Sequence, residues 1–480
     1  MAVVSSPPVR SLPEVVRVPG LGVRWRYRER VAAVTALVAV GYGLDFAGLV
    51  TSALAGSRTP VLALTPVLAL LIASGYHNPP KGVTDNESDW LFATILGTLG
   101  FVGIALVSAR FDTLAGLFRL DLLGAVLWAA CATVILLGAR HAQRMWRVWL
   151  FAVLSASPVP FLLAAGLLGG SDSIVAGLSV CYAAVAVYLA GARARRLKRL
   201  MSALLYLCIG WGLVHLLLDR IGLFATVTIA AGALPVVAHV VMRRWIAPGV
   251  GMFVPTAMYP SRSWRSHAAL PLLALVVAVV HAPAPRLPEP ATVRGDWMQD
   301  AGLHDARPLP DAQRFLGAEA QFVRYRVPGG PGVPVAAVDV ITTPSLGELR
   351  DHRDTVWYPT VRPLNFTEAA TTAPSPVQVR EIFSDADSAT DYTTPHWYAL
   401  TWEWHTPAGY QQVTVIVNQD TGATAGEPPL PQLAAADTLL GPLLWIGRQQ
   451  ADTRGVVDPA VIERATDIAD ALLASAAAHA

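Results

Sequence analysis

Between Val31 and Pro283 apolar residues run in long blocks divided by short polar connections. Beyond Pro283 the pattern changes to short alternating runs. A hydrocarbon core of about 30 Å takes about 20 apolar residues as a helix. The blocks therefore predict about nine spans, at 31–55, 60–76, 90–109, 119–138, 148–169, 173–192, 200–218, 221–242 and 267–283. The second is short and interrupted by Pro66, and the ninth is also short, so the count lies between eight and ten.

Basic residues fall on alternate connections. Residues 1–30 carry Arg10, Arg17, Arg24, Arg26, Arg28 and Arg30. Arg140, Arg144 and Arg147 follow the fourth span, and Arg193, Arg195, Arg196, Lys198 and Arg199 follow the sixth. Arg243, Arg244, Arg262 and Arg265 follow the eighth, whereas Lys81 is the one base after the second. The positive-inside bias then puts the N-terminus in the cytoplasm and, with nine spans, the C-terminal part outside it. The first apolar run is too long for a signal h-region and lacks a small-residue cleavage pattern, which predicts a retained span.

The expected organisation is a cytoplasmic basic segment (1–30), a transmembrane helical domain (31–283), a Pro-rich linker (284–293) and an extracytoplasmic α+β domain (294–480). In the last, alternation predicts strands at Gln321–Val327, Val335–Ile341, Val377–Phe383, Trp397–Trp404 and Gln412–Val417. Helices are predicted after Pro344 and over 433–450 and 459–478. The fold class is thus a polytopic α-helical membrane bundle followed by an α+β domain.

Composition agrees with the membrane class: 54% hydrophobic and 15% charged, with mean hydropathy +0.46. A net charge of +2 gives no basic field for nucleic acid. Cys131, Cys181 and Cys208 all lie in apolar blocks, so the C-terminal part has no disulfide. No cofactor motif is evident. His396 and His405, among Trp397, Trp402 and Trp404, have no metal-ligand spacing and fit a sheet face.

Ionisable groups at membrane depth are expensive and draw attention to function. Asp45 is mid-way in the first span and Cys181 about half-way down the sixth. On the predicted orientation His215, Asp219, Arg220 and His281 share the outer side, and His239 is on the inner side. A thiol, an imidazole and a guanidinium at one face suit acyl transfer, as nucleophile, proton carrier and oxyanion clamp. Each also has a structural reading: Cys181 and His215 as packing residues, Asp219-Arg220 as an interfacial ion pair, Asp45 as a hydrogen-bonding partner of a neighbouring helix.

Several short motifs occur in order: Ser88-Asp89-Trp90, Asp121-Leu122-Leu123-Gly124, Leu137-Gly138-Ala139-Arg140, Pro158-Val159-Pro160, Cys181-Tyr182-Ala183 and the Trp211 to Arg220 stretch. With Val338-Asp339-Val340-Ile341-Thr342-Thr343-Pro344 and Trp402-Glu403-Trp404, the chain resembles exosortase/archaeosortase membrane proteins, of the actinobacterial type with a fused extracytoplasmic domain. That resemblance implies a cysteine transpeptidase that cleaves and transfers C-terminal sorting signals of exported proteins at the cell membrane. Cys181 would be the nucleophile and Arg220 the clamp, with His215, or alternatively His281, as the base. The chain departs from the family pattern in having Tyr182-Ala183 for Ser-Gly and no His in residues 221–230. It also has Val356-Trp357-Tyr358-Pro359 where a Cys-Tyr pair is expected. Two functional expectations follow. One is such a transpeptidase. The other is a catalytically inactive membrane scaffold whose outer domain binds an exported protein or an envelope polymer.

Overall fold

The computed structural model describes residues 22–23, 26–77, 86–192, 194–246, 262–281, 287–330, 333–360, 363–369, 377–384, 396–420, 426–433, 441–447 and 457–477. Arg10, Arg17, Arg24, Lys81 and Arg193 lie outside the described residues, as do most of segment 1–30 and parts of the 433–450 helix.

The apolar blocks form helices. These are α1 (Tyr27–Leu54), α2 (Pro60–Ala73), α3 (Asn86–Arg110), the short α4 (Asp112–Phe118), α5 (Leu120–Leu137), the short α6 (Ala139–Arg144), α7 (Trp146–Ala156) and α8 (Val159–Leu167). Then come α9 (Asp172–Ala190), α10 (Arg196–Val227), α11 (Leu234–Ile246) and α12 (Trp264–Val280). Strands β1 (Gly22–Val23) and β2 (Arg262–Ser263) pair as a short ribbon.

Among the described residues five helical runs are long and apolar enough to cross a membrane, or six when the bent α7–α8 pair counts as one. Nine full-length spans are therefore not found among the described residues, for three physical reasons. The second and ninth blocks form helices of only 10–17 residues, Pro60–Tyr76 and His267–Val280. The fifth is bent by 66° where Ser157 and Pro158 break it. The seventh and eighth join in one run, Arg196–Met242. That run is interrupted at Gly222, whose φ of 77° is a conformation that favours glycine. The hydroxyl of Tyr206 donates to the carbonyl of Ala230 at 2.7 Å. A straight helix would hold those residues about 36 Å apart, so the chain folds back on itself at Gly222.

The C-terminal part is built on an eight-stranded sheet: β3 (Ala291–Thr292), β4 (Arg307–Pro308), β5 (Gln321–Val327), β6 (Ala336–Thr343), β7 (Thr367–Glu368), β8 (Arg380–Phe383), β9 (Trp397–Thr406) and β10 (Gly409–Asn418). The order is β4-β5-β6-β10-β9-β8-β7, antiparallel throughout, with β3 added parallel to β9. The sheet thus begins at Ala291, inside the stretch expected to be linker.

Period-two alternation explains both faces. Val338, Val340, Trp402, Trp404, Val413 and Val415 pack against α17 (Pro459–Ala477) through Val461, Ala465, Ala469 and Leu472. Two indoles on this side, Trp297 and Trp404, donate to one buried acceptor, Gln411 Oε1, each at 3.0 Å. Phe322, Ala337, Ile341, Ala399 and Ile416 point the other way. They cover α14 (Pro310–Leu316), α15 (Leu346–Asp351) and Trp357, and Val159 and Leu163 of α8 join this core; α13 (Trp297–Asp300) and α16 (Gly441–Gly447) are the other helices of this part among the described residues. The second face of the sheet domain is thus continuous with the helical part.

Candidate functional site

The three residues expected to act together are spread along α9 and α10. Gly177 lies against the Trp211 indole and Gly210 against Val180, which fixes an antiparallel register. In that register Cys181 and His215 are separated by about 10 Å along the helix axis, and Cys181 and Arg220 by about 18 Å. His215 sits near the Trp211 ring at 5.8 Å, and His215, Asp219 and Arg220 are all exposed. Among the described residues no hydrogen bond or ion pair joins Cys181, His215 and Arg220. Without a base or cation beside it a thiol is not activated as a nucleophile. His239 is far from Gly222 along its arm, with Nε2 2.9 Å from Ser74 Oγ.

The other candidate base is better placed for proton chemistry. His281, at the end of α12, has Nε2 3.2 Å from Asp45 Oδ2, and its ring lies 4.5 Å from that of Tyr42. Tyr42 in turn lies against Gly124, which leaves room for its hydroxyl. Nearby on the chain, Arg119 forms a two-pronged pair with Asp121 from a left-handed backbone, φ 52°. A carboxylate that orients an imidazole is half of an acid–base arrangement, but Cys181 belongs to a different group of helices. Among the described residues no group of three His, Cys, Asp or Glu side chains is placed to hold a metal ion.

The resemblance motifs have structural work to do. Asp89 accepts from the backbone N–H of Ala139 at 2.7 Å, bringing the Ser88-Asp89-Trp90 and Leu137-Gly138-Ala139-Arg140 segments together. Asp89 thereby caps α6.

The most elaborate polar site is the junction of the two parts. Arg58, between α1 and α2, is 1% exposed. Its guanidinium donates to the carbonyls of Gly170 and Leu316, and pairs with Glu348 at 3.4 Å and Asp172 at 3.6 Å. Asp351 of α15 accepts from Ser57 Oγ at 2.7 Å and from the Arg58 backbone N–H at 2.5 Å. Around it, Gly347 N–H donates to Ala55 O, Asn365 to Arg110 O, and Phe366 N–H to Thr113 Oγ1. Gly170, at φ +69°, lies so close to the Arg314 carbonyl that any β-carbon there would collide with it. The ends of α1, α3 and α8 and the starts of α2, α5 and α9 that face the sheet domain all belong to one end of the helical part. The Arg140–Arg147 and Arg195–Arg199 connections lie at the other.

Burial lifts the Glu348 carboxyl to about 7 and that of Asp351 to about 6, and it lowers His352 to about 4. The signs oppose each other. The two carboxyls contribute stability that is fully present below their unfolded values and lost as pH rises through about 6 and 7. His352 contributes stability present above its unfolded value and lost as pH falls toward about 4. The carboxyls outweigh the imidazole, so the junction should be tighter near pH 5 than near pH 8 by roughly 2 kcal/mol. Glu348→Gln should abolish that difference, because Asp351 and His352 nearly offset each other over this range. Protease release of the sheet domain at the two pH values measures it, and equal release rates in the unaltered chain would refute it.

Sequence reading passed over Arg58 and Asp351, because one arginine in a connection carries no periodic signal. In comparisons with known proteins, no family model, no curated protein and no solved structure matches this chain.

Proposed function

We propose that this chain is an exosortase-like membrane protein of the cell envelope that works as a scaffold and does not use cysteine catalysis. It crosses the membrane nine times when the short helices α2 and α12 and both arms around Gly222 are counted. Its N-terminus is cytoplasmic, and the sheet domain stands outside, held over the helices to bind an exported protein or an envelope polymer. The observation that carries this reading is the separation of Cys181 from His215 and Arg220 along α9 and α10, beside a heavily built junction at Arg58. The basic connections at the end opposite the sheet domain support the orientation.

Two measurements test it. Cys181→Ala should leave processing of a co-expressed exported protein with a C-terminal sorting tail unchanged, while removal of residues 294–480 abolishes the cellular function. Loss of processing in Cys181→Ala would return the protein to the transpeptidases. A reporter enzyme active only outside the cytoplasm, fused after Ala480, should be active; an inactive fusion rules out nine crossings with the N-terminus inside.

One observation favours the enzymatic reading, the Asp45–His281 pair. In a transpeptidase His281 would be the base and Asp45 its orienting carboxylate. On the scaffold reading His281→Ala leaves processing intact.

A further inference from the structure

At the end of the helical part opposite the sheet domain several elements meet. A single turn of helix, Ser74–Tyr76, follows α2 and rests on the end of α9: a β-carbon at Gly75 would meet the Ala190 carbonyl at 2.9 Å. Tyr76, Trp149 of α7, Leu189 of α9 and Leu207 of α10 border the same apolar core. Three arginines, Arg144 of α6, Arg147 of α7 and Arg199 of α10, act electrostatically on the Tyr76 hydroxyl.

Arg199 is unlike its neighbours. Arg195, Arg196 and Lys198 are exposed, as long cationic side chains at a membrane surface are expected to be. Arg199 is only 8% exposed. Its stem lies against Gly191, and its guanidinium carbon is 4.8 Å from the centre of the Tyr188 ring. Nε is buried, and among the described residues no acceptor or carboxylate pairs with the guanidinium. The ring offsets part of the lost hydration but accepts none of the in-plane N–H groups.

Arg144 and Arg147 bring no counter-charge. Arg147 lies over the Trp146 ring at 5.4 Å, and neither arginine is in an ion pair among the described residues. Three cations thus gather around one hydroxyl, and one of them is buried. A buried cation calls for an anion. The positive-inside bias accounts for basic connections, but exposed residues satisfy it equally well, so it gives no reason to bury Arg199.

We infer that Arg144, Arg147, Arg199 and Tyr76 bind the phosphate of an acidic phospholipid headgroup, the guanidiniums and the hydroxyl donating to its oxygens. Guanidinium forks match phosphate oxygens two at a time. The surroundings select a lipid over a soluble phosphate ester. Leu197, Leu200 and Met201 on α10 and Trp146 on α7 are exposed apolar side chains beside the arginines, so the site borders a surface suited to hydrocarbon. Basic pockets between helices at a cytoplasmic membrane face take acidic headgroups in this way. A zwitterionic headgroup would carry its own cation to the three arginines and is disfavoured. The assignment to the inner leaflet rests on the orientation proposed above.

The test is native mass spectrometry of the full-length protein in detergent, titrated with phosphatidylglycerol, phosphatidylcholine or glycerol 3-phosphate. One phosphatidylglycerol should bind tightly, and phosphatidylcholine less tightly. Arg199→Gln should weaken phosphatidylglycerol binding about tenfold, the effect of losing one charge-assisted contact. Arg195→Gln combined with Lys198→Gln removes two exposed charges from the same connection. It should change the affinity by about twofold at most, because exposed charges are screened. An equal loss in that control would mean a diffuse basic surface and overturns the inference, as does equal binding of phosphatidylcholine. Displacement of the lipid by glycerol 3-phosphate overturns the choice of a lipid and assigns the site to soluble phosphate esters. Should Arg199→Gln fail to fold, Arg147→Gln at its half-buried position decides: about fivefold weaker binding is expected, and unchanged binding overturns the inference. Binding in detergent does not depend on sidedness, so an inactive reporter fusion would refute the orientation and leave this site standing.

Discussion

Arg58→Met should loosen the sheet domain from the helical part by about 3–5 kcal/mol, the usual effect of removing one partner from a buried charge cluster. Methionine nearly fills the volume, so lost packing is a minor part of the effect. What remains is electrostatic. The Gly170 and Leu316 carbonyls lose their donor, and Glu348, with its carboxyl already held up by burial, loses its cation. Asp351 is less affected, because it still accepts from Ser57 and from the backbone N–H of residue 58. Arg58→Lys keeps the charge and loses the planar fork, so it should fall between the two. Ser57→Ala should remove about 1 kcal/mol. Limited proteolysis and hydrogen exchange at Gly347, whose N–H donates to Ala55 O, measure the release directly. A variant with unaltered protection would show that the apolar contacts of Val159 and Leu163 with the sheet domain suffice for docking.

Arg58 also marks the limit of what could be read from the sequence. Hydrophobic blocks located most helices to within a few residues, because burial in lipid is written as composition. Alternation gave the bounds of β5, since its buried residues, Phe322 and Arg324, alternate with half-buried ones. It stopped short on β9 and β10, missing Thr406, Gln411 and Asn418, which are polar and yet buried. It missed β3 altogether, whose two residues pair in parallel with Trp404 and His405. The expected orientation put His215, Arg220 and His281 on one side. It could not say which helices touch or at what height. Those depend on contacts such as Gly177 with Trp211, which place Cys181 about two turns of helix from His215. The Asp351–Arg58 bond joins residues 293 positions apart and has no local signature at all.

Asp339→Ala should destabilise the sheet domain by about 3–5 kcal/mol, because it strands a buried arginine in the middle of the sheet. Arg324 on β5 and Asp339 on β6 face each other across the strand pair, with two bonds of 2.7 Å and side chains 4% and 2% exposed. The pair is the centre of a larger network. Arg324 also donates to the carbonyls of Pro428 and Pro429, each at 2.9 Å, and Tyr358 donates to Asp339 Oδ2 at 2.7 Å. Asp339 comes from a segment that carries the family resemblance and Tyr358 from one that departs from it, and they meet to satisfy one carboxylate. Replacing both charges by apolar residues, Arg324→Met with Asp339→Leu, removes the stranded charge and should recover part of the loss. Recovery should be incomplete, since the two proline carbonyls and the Tyr358 hydroxyl stay buried without partners, about 1–3 kcal/mol for each group left unsatisfied. Tyr358→Phe alone should be mild, about 1 kcal/mol. Near-ultraviolet circular dichroism of the buried Trp397, Trp402 and Trp404, on the two faces of the sheet, follows unfolding of this domain. If the double replacement restored full stability, the carbonyl and hydroxyl contacts would be dispensable, and the pair would be an isolated ion pair whose role lies in register alone. Incomplete recovery would instead mean that the network anchors the 428–429 segment and the Tyr358 turn to the sheet. Tyr358 shares the face that receives α15 and Arg58, so the consequence would reach the junction: protease release of the sheet domain should rise in Asp339→Ala even with Arg58 intact.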